Sequence, residues 1–127
     1  MTITSLQSST TQSAAFDGAV LDVSALTGDF TVKLQISSLT SAKSAMLALE
    51  GAAAATFPAS PTPANTLWVV QAKGPTGSAY DRVFSIHSRD LPYVGGAIFG
   101  QTNGKFRVSL TAIDASASVT YSAWIEQ

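Results

Sequence analysis

His87 is the only histidine of the chain, and it lies in the stretch Ser85-Ile86-His87-Ser88-Arg89-Asp90. That stretch gathers a hydroxyl, an imidazole and a carboxylate, the three groups of a nucleophilic hydrolase. The chemistry needs them to converge from separate elements beside an oxyanion hole. Neighbours on one strand point to opposite faces, so this run cannot build the array. No Gly-x-Ser-x-Gly elbow occurs anywhere in the sequence. His87 therefore reads as a polar residue on a strand face, and the expectation is a protein that is not an enzyme.

Metal and phosphate chemistry find equally little. One histidine and no cysteine cannot build a typical zinc shell. Asp17, Asp22 and Asp29 lack the dense spacing of a calcium loop. Gly95-Gly96-Ala97-Ile98-Phe99-Gly100 has glycines but no Lys-Ser/Thr, and it precedes no helical pattern, so a bulge or hairpin base accounts for it better than a phosphate loop. No cofactor and no metal are expected. Two tryptophans remain. Trp68 sits in an apolar run and reads as core. Trp124 lies opposite the apolar face of its strand, which suits a subunit contact, a ligand platform or a strand buried on both sides.

The elements that must position these residues are strands. Phe30, Val32, Leu34 and Ile36 alternate with Thr31, Lys33, Gln35 and Ser37, the period of a half-buried strand over 29–37. Leu21 and Val23 alternate with Asp22 and Ser24 in a strand over 19–26. Leu26-Thr27-Gly28-Asp29 joins the two as a turn, with Gly28 free to take positive φ. Residues 44–50 read as the next strand, although the alanines at 52–55 would also suit a helical turn. Pro58, Pro61 and Pro63 make 57–65 a loop. Residues 67–72 are nearly all apolar and predict a strand buried on both faces. Residues 82–88 read as a strand and 91–96 as a loop.

The last third predicts two hairpins. Asn103-Gly104 is a strong two-residue hairpin signal between 97–102 and 105–113. Residues 114–117 turn again into a final strand, with Val119, Tyr121, Ala123 and Ile125 on one face. About eight short strands without a helix predict an all-β fold, an antiparallel β-sandwich of jelly-roll type, with an immunoglobulin-like sandwich as the alternative. That domain covers 16–127. Residues 1–15 are a Ser/Thr/Gln tract with Ile3 and Leu6 as isolated apolar side chains, and read as a polar N-terminal arm, either a frayed terminus or a segment that orders on a partner or neighbouring subunit.

Charge is scarce. Asp, Glu, Lys and Arg make up 12% of the 127 residues, against about 25% in an average soluble domain. A free monomer normally uses charge for solubility and to blunt its sheet edges. The net charge of -1 provides no basic footprint for nucleic acid or anionic membrane. No apolar run approaches the ~20 residues of a membrane helix. The start lacks the basic and apolar regions of a signal peptide. These readings predict neither a nucleic-acid nor a membrane partner, and a product made in the cytoplasm.

The texture of the chain is similar to a known class. Ala19-Val20-Leu21-Asp22-Val23-Ser24-Ala25-Leu26-Thr27-Gly28-Asp29-Phe30 followed by an alternating strand resembles the small β-sandwich structural proteins of tailed bacteriophages. So do Phe106-Arg107-Val108-Ser109-Leu110-Thr111-Ala112-Ile113-Asp114 and Val119-Thr120-Tyr121-Ser122-Ala123-Trp124-Ile125. The resemblance covers most of the chain but contains no invariant motif, so no functional residue transfers with it. It implies a head decoration (cement) or minor capsid protein, located on the capsid surface of the virion and made in the host cytoplasm. Its implied partners are the major capsid protein and copies of itself, as a homotrimer. The candidate contacts are Ile3, Leu6, Pro92, Tyr93 and Trp124. Two alternatives stay open. One is a tail or fibre module presenting the proline-rich loop, and the other is a carbohydrate-binding β-sandwich using Trp124.

Overall fold

The computed structural model describes residues 1–54, 56–57, 66–91 and 98–127. Among the described residues nine strands follow one another: β1 (Ile3–Gln12), β2 (Phe16–Asp17), β3 (Leu21–Asp22), β4 (Thr31–Leu39), β5 (Ser44–Ala53), β6 (Thr66–Lys73), β7 (Arg82–His87), β8 (Gly104–Ile113) and β9 (Val119–Glu126). The first sheet has the order β1-β9-β4-β7, and the second β2-β8-β5-β6, with β3 also pairing β8. All pairs are antiparallel. β2 and β3 occupy successive stretches of β8, Phe16 facing Leu110 and Leu21 facing Phe106, so they act as one interrupted strand. Counted that way, each sheet has four strands and the chain crosses between sheets in the double Greek key of a jelly roll.

The core lies between the sheets and follows from the alternation. Val32, Leu34 and Ile36 of β4 and Val119, Tyr121, Ala123 and Ile125 of β9 are buried from one side. Leu47 and Leu49 of β5 and Phe106, Val108 and Leu110 of β8 meet them from the other. Phe30 stands edge-on to Phe99, with ring centroids 4.9 Å apart. The Tyr121 hydroxyl is buried and has no hydrogen-bond partner among the described residues, and burial pushes its pKa up to about 12.

Several sequence expectations need correction. Residues 3–12 are not a free arm: they form β1, an edge strand on β9, running from Ile3 opposite Glu126 to Gln12 opposite Val119. Ser and Thr pair in a ladder as readily as apolar residues when a neighbour supplies the partners, and both register shifts of β1 lie between Ser5 and Thr10. The first shift turns Leu6 inward, where it is 3% exposed. Residues 19–26 hold only the two-residue β3, and the turn after it is as expected, with Gly28 at φ 75. β5 runs on through Ala53 in place of a helical turn. β6 buries one face only, since Val69 points outward and is exposed. Trp68 is half-buried against the core.

Neither predicted hairpin forms. Asn103 does take positive φ, at 63, but residues 98–103 form turns and not a strand. A Cβ at Gly104 would strike the Ile98 carbonyl, so the turn needs that glycine. Residues 114–117 do not fold β9 back on β8; they carry the chain from the second sheet to the first. That crossing is tied at both ends. The Ser44 amide donates to Asp114 Oδ2 at 2.8 Å, and the Ser118 amide donates to Thr40 Oγ1 at 2.9 Å.

The integration of β1 predicts unequal costs on its two faces. Leu6→Ala should lower the unfolding free energy by about 2–5 kcal/mol, and Ile3→Ala by less than about 0.5 kcal/mol. Urea denaturation of the two variants checks this. Equal, small losses would restore the free arm.

Candidate functional site: two outer sheet faces

Each sheet turns one face to the core and one away from it, and the two outer faces differ. On the first sheet, register puts Ile3 and Ser5 of β1, Ser122, Trp124 and Glu126 of β9, Lys33 and Gln35 of β4, and Val83, Ser85 and His87 of β7 on the outer side. Lys33 and Glu126 are the formal charges at outward positions of these four strands. Ile3 and Val83 are 61% and 53% exposed. Trp124 is half-buried at the centre, between Ser5 on one side and Lys33 on the other.

The outer face of the second sheet carries Asp17, Asp22, Glu50, Lys73, Lys105 and Arg107. Two of these are buried: Glu50 is 0% exposed and Arg107 5%. They are direct cross-strand partners on β5 and β8. Arg107 Nε donates to Glu50 Oε1 at 2.8 Å, and Ser109 Oγ donates to the same oxygen at 2.6 Å. The Arg107 guanidinium also lies 3.7 Å from Asp17 and 4.2 Å from the centroid of the Phe57 ring. Among the described residues, Glu50 Oε2 and Arg107 Nη2 have no hydrogen-bond partner. Lys105 Nζ donates to the Ala54 carbonyl at 2.7 Å, fixing the chain as it leaves β5. Asp22 stays near the surface, where the Ser24 hydroxyl and amide hold its carboxyl below the usual range.

Two hollows flank these faces. One of about 510 Å³ lies at the far end of the second sheet among Met46, Gln71, Lys73, Ala112 and Asp114. Its acid is already engaged by the Ser44 amide, and Gln71 donates to Met46 Sδ at 3.7 Å. The other, of about 380 Å³, joins Met1, Asp29, Lys33, His87 and Glu126 at one end of the first sheet. Among the described residues, no three of His, Cys, Asp and Glu come together to hold a metal.

The candidate contacts separate accordingly. Ile3 and Trp124 share the outer face of the first sheet, on neighbouring strands. Leu6 is in the core and cannot meet a partner. Pro92 and Tyr93 lie outside the described residues, as do Gly95, Gly96 and residues 58–65 of the proline-rich loop. The Ser/His/Asp stretch does not converge: Ser88 is buried and its hydroxyl accepts from the Phe30 amide, while His87 Nδ1 accepts from the Arg89 amide. The Glu50–Arg107 pair went unread in the sequence, because 57 positions separate its members and each looks locally like a solvent-facing residue. Glu50 inside the small apolar run 45–55 was the one available signal. No model of a known protein family, no characterised protein and no solved structure matches this chain.

A buried ion pair is costly to break and cheap to replace. Glu50→Gln should destabilise by roughly 3–5 kcal/mol, since it strands the guanidinium. The double variant Glu50→Met/Arg107→Met should lose less than either single change. Chemical denaturation of the set checks this, and additive losses would contradict it.

Proposed function

We propose that this chain is a structural virion protein that binds an assembled phage capsid and stabilises it as a decoration (cement) protein, as a homotrimer on the capsid surface. The observation that carries the reading is the outer face of the first sheet. It combines exposed Ile3 and Val83 with a central Trp124 and two strand charges, Lys33 and Glu126, with the Asp81 carboxylate at its edge accepting from Gln35. Such a face suits burial against a neighbour, because little ionic hydration is lost when it is covered. The other outer face holds most of the outward charge, and serves as the solvent side. The overall shortage of charge and the resemblance of the strand sequences point the same way.

The test uses the recombinant chain and empty shells of the virus whose genome encodes it. The free protein should sediment as a trimer and co-pellet with shells. Trp124→Ser and Ile3→Ser, checked for folding by circular dichroism, should weaken shell binding roughly tenfold or more, the loss of a central interface anchor. A monomer that ignores the shells, or variants that bind like the wild type, would sink the proposal. Trp124 among serines and a glutamine also fits a sugar-stacking platform. Quenching of its fluorescence by glycans, without shell binding, would put a carbohydrate-binding module in its place.

A further inference from the structure

The chain leaves β7 through a bond that only a neutral histidine can make. His87 is extended, at φ -79 and ψ 147, and caps the 3-10 turn Ser88–Asp90. Its Nδ1 accepts from the Arg89 amide at 3.2 Å. A neutral imidazole with Nδ1 as acceptor carries its proton on Nε2, whereas the imidazolium has a donor on both nitrogens and no acceptor. A second proton on the ring must therefore break the cap. Histidine is also the side chain whose charge ordinarily changes between about pH 5 and 8. We propose that His87 is a pH-sensitive cap, which holds the 88–91 turn when neutral and releases it when protonated.

The surroundings give the charged ring somewhere to go. The hollow beside it is bordered by Asp29, Lys33 of β4, Glu126 of β9 and Met1. Thr31 pairs with His87 on one side and with Glu126 on the other. Along its own chain the ring has Arg89 and Asp90. The carboxylates of Asp29, Glu126 and Asp90 favour an imidazolium turned off the amide, and Lys33 and Arg89 oppose it.

The release is local. Ser88 is held independently, its amide donating to the Phe30 carbonyl at 2.8 Å and its hydroxyl accepting from the Phe30 amide at 3.2 Å. Among the described residues, the Arg89 bond and the Leu91-to-Ser88 bond, both at 3.2 Å, depend on the turn keeping its shape. Acid would thus loosen the turn between Arg89 and Leu91 while the sandwich stays closed. The inference concerns the free protein and stands or falls apart from any partner.

Nitrogen NMR and amide exchange on the full-length labelled protein test it. At pH 7.5 the His87 ring should be the Nε2–H tautomer. Between pH 7.5 and 5.0 the Arg89 amide, corrected for intrinsic exchange, should lose roughly fivefold in protection, the size of a lost helix cap. Phe30 and Ser88 should keep theirs. His87→Asn supplies a capping oxygen that does not titrate, so its Arg89 protection should be the same at both pH values. An Nδ1–H tautomer at neutral pH, unchanged Arg89 protection while the ring titrates, or an equal loss in His87→Asn would overturn the proposal.

Discussion

The pairing of β9 between β1 and β4 is the contact on which the rest of the molecule depends. It brings the last strand against the first on one side and against β4 on the other. One side of β9 contributes Val119, Tyr121, Ala123 and Ile125 to the core. The other puts Trp124 at the centre of the outer face. Core and candidate contact surface are therefore two sides of one strand, with the period of two deciding which residue serves which. A slip of one residue would exchange them. The ties at Thr40–Ser118 and Ser44–Asp114 sit where such a slip would start.

The second sheet is held in register by different means. Glu50 and Arg107 face each other across β5 and β8, buried and joined through a single oxygen that Ser109 also reaches. A pair of this kind adds little net stability compared with apolar residues of similar size, but it penalises every register that separates its members. It also changes the meaning of the chain's scarce charge. The sequence has 7 basic and 8 acidic side chains, and one of each is withdrawn inside this cluster. The solvent-facing surface is poorer in charge than composition suggests, and the first sheet's outer face is poorest.

What was legible in the sequence follows from how local each cause is. β4, the middle of β8, and β9 could be read directly, because strict alternation is imposed by one half-buried strand alone. The sandwich followed from strand number and spacing, which left an immunoglobulin-like type open beside the jelly roll; the strand order decides between them. β1 could not be read, since its ladder partners lie more than a hundred residues away and its single core residue, Leu6, reaches the inside next to a register shift. Asn103-Gly104 and residues 114–117 were seen as turns, yet whether a turn closes a hairpin or crosses between sheets is decided by the strands beyond it. Of the candidate contacts, Ile3 and Trp124 share a face. Leu6 was misplaced for the same reason as β1.

The central claim is that the outer face of the β1-β9-β4-β7 sheet is the face turned to a neighbour. A cryo-electron microscopy reconstruction of particles bearing this protein tests it most directly. The account predicts Trp124, Ile3 and Val83 buried against the shell or a second copy, with the Glu50–Arg107 side toward solvent. A particle map with the Trp124 face open to solvent and the opposite face on the shell would contradict it.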